Sequence, residues 1–398
     1  MKKKILFCTW NLKAGGGQKS LVTLLNTIDP NRYDIDLLLM EKDGLFLPLV
    51  PKYINIIEAD KNLAVLHHSP LEFSYFRGKG FLFWLKVLYS RVKAKVKYKD
   101  LEKGQGYWMT WCKYIPELST VYDCAISFIE RDMNWYVIDK TRAKRKLLWI
   151  HSVYTSLGLN PVFDIKYFKQ ADLVATMAET GLESLQQTFP SIKEKFIILE
   201  NISNGALINK LAQIPIKENE YTDFKGMKIL SVGRLDDVKN YDLAIDTAIE
   251  LRSKHIDFIW YVIGEGSLRN RLEERIEKNK LGDCFKLIGL RENPYQYMRV
   301  ADMVVMTSKF EGRSIALDEA KILHKLIVTT NYDSATDVVD NGKTGLICNM
   351  DAQSIANGIM HIHNDSTLAK SILTNLESKD WDNTKEVEKY YKAIDGEL

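Results

Sequence analysis

The apolar positions fall into short runs separated by amphipathic stretches. In the first half, KILFCTW (4–10), YDIDLLLM (33–40), YINIIE (53–58), YDCAISFI (122–129), KLLWI (146–150) and DLVATM (172–177) have the length and the β-branched or aromatic content of buried strands. A second series is MKILSVG (227–233), FIWYVIG (258–264), FKLIG (285–289), DMVVMTS (302–308), KLIVTT (325–330) and GLIC (345–348). Between them lie helical periods such as NYDLAIDTAIELRSK (240–254) and SLRNRLEERIEKNK (267–280). Strands alternating with helices predict parallel sheets with crossovers, so each half reads as a doubly wound α/β domain. The polar, turn-rich stretch from 204 to 226 reads as the linker between residues 1–203 and 227–375.

Such sheets bind ligands beyond the carboxyl ends of their strands, so the loops there decide the function. After the first strand, Gly15, Gly16 and Gly17 precede an apolar-periodic helix. Backbone N–H groups at a helix start suit an anion, although a plain tight turn uses glycines too. The run has neither the spacing of a dinucleotide fingerprint nor a Walker pattern. In SVGRLDDVKN (231–240), Arg234 and Lys239 flank a short loop; they suit a phosphate or are a solvated pair. GEGSLRNRL (264–272) and IGLREN (288–293), with Gly264, Gly289 and Leu290, end the next two strands on the same sheet edge.

FEGRSIALDE (310–319) follows the strand at 302–308 and puts Glu311 and Glu319 eight positions apart. With a helix starting near Arg313, the carboxylates share a face roughly 12 Å apart along the axis. That exceeds the separation of a hydrolytic carboxylate pair, about 5–9.5 Å, and suits two ends of one long ligand. Glu319 sits among Leu317, Ala320, Ile322 and Leu323, an awkward place for an idle charge.

Taken in order, GR…K at 233–239, GEG at 264–266, the strand end at 288–289 and EG…E at 311–319 resemble the retaining glycosyltransferases of family 4, and GGGQKSL (15–21) resembles their N-terminal glycine turn. The resemblance covers roughly the whole chain and is strongest from 227 to 348. It implies the GT-B fold: two facing Rossmann-like domains with a cleft between them, an acceptor-binding first domain and a donor-binding second. Residues 376–398 resemble the family's last helix, which returns to the first domain. Arg234 and Lys239 are then implied to bind the donor diphosphate, Glu311 to lie by the transferred sugar, Glu319 to hold the ribose hydroxyls, and His151 in WIHSVYTS to contact the donor sugar. Gly15, Gly16, Gly17, Gly264, Gly289, Leu290, Gly312, Arg313 and Ser314 complete the implied donor set. Gln18 stands where many relatives carry Glu, and Leu326 where they carry Pro. Arg313 and Ser314 occupy the sugar-facing loop, so the sugar's identity does not carry over. A nucleotide-sugar epimerase of the same architecture, or a catalytically silent partner, remains the alternative.

No cofactor or metal is expected. DID (34–36) lies inside a strand, His67–His68 has no third ligand nearby, and no nucleophilic triad spacing stands out. Five scattered cysteines without a CxxC pair favour buried thiols in a reducing compartment. No apolar stretch is long enough to span a bilayer, and the start reads as a buried strand, not a leader. The expected location is therefore the cytoplasm.

Charge changes one part of this picture. Residues 1–200 hold 29 Lys and Arg against 21 Asp and Glu, whereas the remainder is net acidic. Nine of those cations lie in 77–103, beside two acids. FRGKGFLFWLKVLYSRVKAKVKYKDLEK (76–103) interleaves them with Phe, Trp, Leu, Val and Tyr, the make-up of a surface-lying membrane helix. Arg77, Lys79, Trp84, Lys86, Arg91, Lys93, Lys95 and Lys97 are the expected contacts with an anionic membrane, and KTRAKRK (140–146) adds five cations. A solvated excursion is the plainer alternative, and no nucleic-acid module is present. The expected partners are a nucleotide-sugar donor, a glycan or lipid-linked acceptor and the membrane surface.

Overall fold

A computed structural model describes residues 2–13, 15–216 and 219–398. The chain forms two compact units: one comprises residues 1–13, 17–200 and 386–398, the other residues 14–16 and 201–385.

The first unit is built on seven parallel strands: β1 (Lys3–Thr9), β2 (Tyr33–Leu39), β3 (Asn55–Glu58), β4 (Val121–Ser127), β5 (Arg142–Trp149), β6 (Leu173–Thr176) and β7 (Phe196–Ile198), in the order β3-β2-β1-β4-β5-β6-β7. β1 pairs with both β2 and β4, so the winding direction reverses beside β1. Ile5, Leu6, Phe7 and Cys8 are fully buried, as expected of a central strand covered on both faces. β5 begins four residues earlier than its apolar run, because the side chains of Arg142, Lys144 and Arg145 find Glu117, Asp123 and Asp172. KTRAKRK is thus mostly the start of a paired strand, with three of its five cations matched by carboxylates and Lys146 donating to the Ile138 carbonyl. β7, three residues long, carries too short an apolar run to be read from sequence. The helix Val387–Asp395 completes this unit: Tyr390 stacks on Trp149 at 5.8 Å and its hydroxyl donates to the Glu200 carbonyl at 2.8 Å.

The second unit has six parallel strands: β8 (Met227–Val232), β9 (Phe258–Ile263), β10 (Phe285–Gly289), β11 (Met303–Met306), β12 (Leu326–Thr330) and β13 (Leu346–Cys348), in the order β10-β9-β8-β11-β12-β13. The winding reverses between β8 and β11. The helix Tyr241–Ser253 buries Leu243, Ala244, Thr247, Ala248 and Leu251 against this sheet, the spacing of one helical face. The 204–226 stretch, read as a linker, contains the helices Gly205–Ala212 and Asn219–Asp223, while residues 217 and 218 lie outside the described residues. Ile208 and Ala212 pack with Tyr295 and Ile322, so this helix is part of the second unit's core. Asp382 accepts the Gly205 N–H at 2.7 Å, which ties residues up to 385 to the same unit.

Candidate active site

In the second unit, the loops after β8, β9, β10 and β11 are knitted together by their backbones. The Gly233 N–H donates to the Ile263 carbonyl at 3.0 Å, Leu235 to Glu265 at 3.0 Å and Gly264 to Gly289 at 3.1 Å. Gly264 lies so close to Gly233 that a Cβ there would fall 1.8 Å from the Gly233 carbonyl oxygen. Gly289 sits at φ +75°, a region an L side chain rarely adopts. The glycines read as phosphate-loop candidates therefore have a packing reason to be glycine. On the other side of the reversal, Lys309 N–H donates to Val238 O at 2.8 Å, and the Thr307 hydroxyl to Lys239 O at 2.9 Å. This holds the β8 and β11 loops side by side.

Those two loops bring Lys239 and Glu311 together. Lys239 Nζ lies 2.6 Å from Glu311 Oε1, which also accepts from the Ser308 hydroxyl at 2.7 Å. The Ser334 hydroxyl holds the Glu311 carbonyl at 2.8 Å. A crevice of about 10 Å³ beside them, room for about one water, is lined by Ser231, Lys239, Tyr241, Ser308 and neighbours. Burial pushes the Tyr241 hydroxyl far up, so it stays a neutral donor, and it reaches Gly233 O at 3.3 Å. Arg234 is more loosely held: 3.3 Å from Asp236 and largely exposed, its guanidinium is available to a ligand.

The helix after Glu311 begins at Ile315, two residues later than the pattern suggests, so Glu311 belongs to the preceding loop rather than the helix. Glu319 is buried on that helix and accepts from the Tyr295 hydroxyl at 2.9 Å. Burial, then the neighbouring Glu319 charge, pushes Tyr295 well up and keeps it a donor. Arg313 turns back onto Asp318 at 2.9 Å, and Lys321 completes the cluster at 2.8 Å. Burial opposes ionisation of Asp318, but Lys321 and Arg313 outweigh it and hold the carboxyl below its usual range. Arg313 is thus engaged in the fold. Ser314 is buried, with its hydroxyl 3.2 Å from Met306 Sδ, Gly312 is half-buried, and Leu290 is exposed beyond β10.

The first unit carries a second set of groups on its own carboxyl edge. His151, after β5, has Nε2 2.8 Å from the Phe128 carbonyl, and a carbonyl only accepts. The ring is therefore protonated at Nε2 and presents Nδ1 as an acceptor. Burial lowers its pKa, which favours the neutral ring. Its backbone N–H donates to Glu130 at 3.1 Å. Gly17 borders the same ring: a Cβ there would sit 3.8 Å from it. Gly15 and Gly16, ahead of the rest of the helix Gly16–Thr27, group with the second unit instead.

Sequence reading missed Glu130, Ser308, Tyr295 and Asp132. Asp132 accepts from Trp10 Nε1 and lies 2.8 Å from His67 Nε2. Arg131, between Glu130 and Asp132, adopts φ +72°, an unusual conformation that is often kept at functional sites. A charged triplet held at the β1/β4 reversal was the one available signal.

Of the residues expected to meet a membrane, several turn inward. Arg91 donates to the carbonyls of Leu66 and His68 and lies over the Tyr107 ring. Lys79 and Lys86 sit over Tyr75 and Tyr114, and Trp84 donates to Pro70 O at 2.8 Å. These four are engaged by the fold, the three cations over aromatic rings and Trp84 through its indole hydrogen bond. Arg77, Lys93, Lys95 and Lys97 remain exposed. Among the described residues no helix is long and apolar enough to cross a membrane, and no three His, Cys, Asp or Glu are grouped to hold a metal.

Residues 214–378, most of the second unit, match the family model of group 1 glycosyl transferases. The Campylobacter jejuni N-acetylgalactosamine-N,N'-diacetylbacillosaminyl-diphospho-undecaprenol 4-alpha-N-acetylgalactosaminyltransferase is 31% identical over 206 residues, 51% of this chain and 54% of its own. The chain spans about half the length of the curated relatives it matches. The Anabaena protein HepE, solved in complex with UDP and glucose, superposes with a TM-score of 0.71 at 15% identity, over 100% of both chains. A glycosyltransferase from Rickettsia africae gives 0.69 at 16% identity, over 99% and 98%. These likenesses show the fold, which is GT-B.

Proposed function

We propose that the chain is a retaining glycosyltransferase that moves a sugar from a nucleotide diphosphate sugar, with a UDP-sugar as donor, to a glycan or lipid-linked acceptor. The observation that carries this reading is the Lys239–Glu311 pair at the β8/β11 reversal, inside the segment that matches the group 1 transferases. The bond between the anomeric carbon and the diphosphate breaks, a bond to the acceptor oxygen forms, and the acceptor proton leaves to the departing phosphate or water. Negative charge grows on the leaving diphosphate. Lys239 and Arg234 are positioned to neutralise it, so the reading is metal-independent. Glu311 serves the sugar and Glu319 the ribose hydroxyls, its carboxylate oriented by Tyr295. His151 enters as a neutral hydrogen-bonding group.

A UDP donor is favoured by HepE, solved with UDP and glucose, and a lipid-linked acceptor by the Campylobacter relative, whose name carries a diphospho-undecaprenol. The first unit is proposed to take the acceptor, and the protein to work in surface polysaccharide or glycoconjugate synthesis at the cytoplasmic membrane face.

Thermal shift with UDP-, GDP- and ADP-sugars tests the donor. One nucleotide class is expected to raise Tm, and Lys239→Ala to abolish that rise. A full shift in Lys239→Ala would place the donor elsewhere. Absence of nucleotide release from every donor in the presence of membrane extract would overturn the transferase reading.

A further inference from the structure

The helix Phe81–Lys97 has two apolar faces, and only one of them is used by the fold. Val87, Ser90 and Ala94 are buried, and the Ser90 hydroxyl is 2.9 Å from Thr110. On the opposite side Phe81, Leu82, Leu85, Tyr89, Val92 and Val96 are exposed, with Leu82 80%, Tyr89 66% and Val96 74% accessible. At 100° per residue these six positions fall within an arc of roughly 100°. A soluble fold has no reason to hold such a stripe out in water.

We infer that this stripe is a docking face for an anionic lipid bilayer, into which Leu82, Leu85, Tyr89, Val92 and Val96 insert. The charge around it selects the occupant. Lys93 and Lys97 follow one edge of the arc and Lys95 the other, and no Asp or Glu occurs between Glu72 and Asp100. A second copy docked through a two-fold axis would lay these lysines against their own equivalents, a repulsive arrangement. An anionic headgroup layer takes the cations and the acyl boundary takes the stripe. Seventeen residues give a helix about 25 Å long that lies along the surface. The inference rests on the membrane-face reading above for its purpose only, because binding is measured without catalysis.

The test is co-sedimentation of the full chain with vesicles of phosphatidylglycerol and phosphatidylcholine, against phosphatidylcholine alone. Binding to the anionic vesicles is expected, weakened by salt. Leu82→Glu with Val96→Glu should abolish it while leaving circular dichroism and the nucleotide-sugar thermal shift unchanged, since both side chains point to solvent. Each of Lys93→Gln and Lys97→Gln should weaken binding about fivefold. Wild type that ignores anionic vesicles, or a double Glu variant that binds as wild type does, would overturn the inference. So would a concentration-dependent dimer that the same substitutions dissolve, because a second copy would then cover the face. Loss of vesicle binding with an intact nucleotide shift separates this face from the donor site, and the converse result would leave the face standing.

Discussion

Lys239 Nζ and Glu311 Oε1 stand 2.6 Å apart although 72 residues separate them in sequence, because the winding of the second sheet reverses between the strands that precede their loops. Each is only slightly exposed, so neither is fully paired by water when the other is removed. Lys239→Met and Glu311→Gln should therefore couple. A double-mutant cycle on denaturant unfolding is expected to give about 1–2 kcal/mol of interaction energy. Additive losses would mean the pair contributes nothing to the fold. In turnover, Lys239→Ala should lower kcat by about 100-fold or more, the loss typical of one charge-stabilising donor.

Tyr295 offers a way to separate Glu319's position from its charge. Tyr295→Phe keeps the ring packed with Ile208, Ala212 and Ile322 and removes only the hydroxyl that Glu319 accepts. The stability cost should be about 1.5–3 kcal/mol, that of one hydrogen bond to a charged group. With its carboxylate less firmly oriented, the donor KM should rise severalfold while kcat holds. A fall in kcat at constant KM would show that Glu319 acts on the reacting centre instead.

Much of this arrangement was legible in the sequence, and the illegible parts share a cause. The strands show as apolar runs, and the glycine and charge signals mark the loops beyond β8, β9, β10 and β11. The hidden parts are fixed by distant partners. Tyr295 faces Glu319 from 24 positions away. The first residues of β5 read as a basic patch because their carboxylates lie on other segments. The helix Gly205–Ala212 reads as linker because its partners, Tyr295 and Ile322, come much later in the chain. In the helix Phe81–Lys97, residue types alone could not say which face is turned inward.

The contact between Gly264 and Gly233 predicts a sharp contrast between two glycines. Gly264→Ala puts a methyl 1.8 Å from a carbonyl oxygen that cannot retreat without pulling the Arg234 loop with it. A loss of about 3 kcal/mol or more is expected, together with weakened nucleotide binding. Gly282→Ala meets nothing within 4 Å and should be neutral in both. Equal stability of the two variants on thermal unfolding would refute the close approach.

His67 gives the first unit a pH dependence of known sign. Burial lowers its pKa, but the carboxylate of Asp132, with help from Glu41 and against Arg91, wins and raises it above the ordinary value. The folded state thus binds the proton more tightly than the unfolded chain does. The stabilisation is fully present below the unfolded pKa, about 6.5, and is lost as pH rises through the folded pKa. Wild type should therefore exceed His67→Gln in stability by more at pH about 6 than at pH about 8.5. Asp132→Asn should remove most of that difference, although Trp10 still has an oxygen to donate to. Thermal melts of the three proteins across that range check the prediction, and a gap that stays constant with pH would mean His67 is held by packing against Trp10 alone.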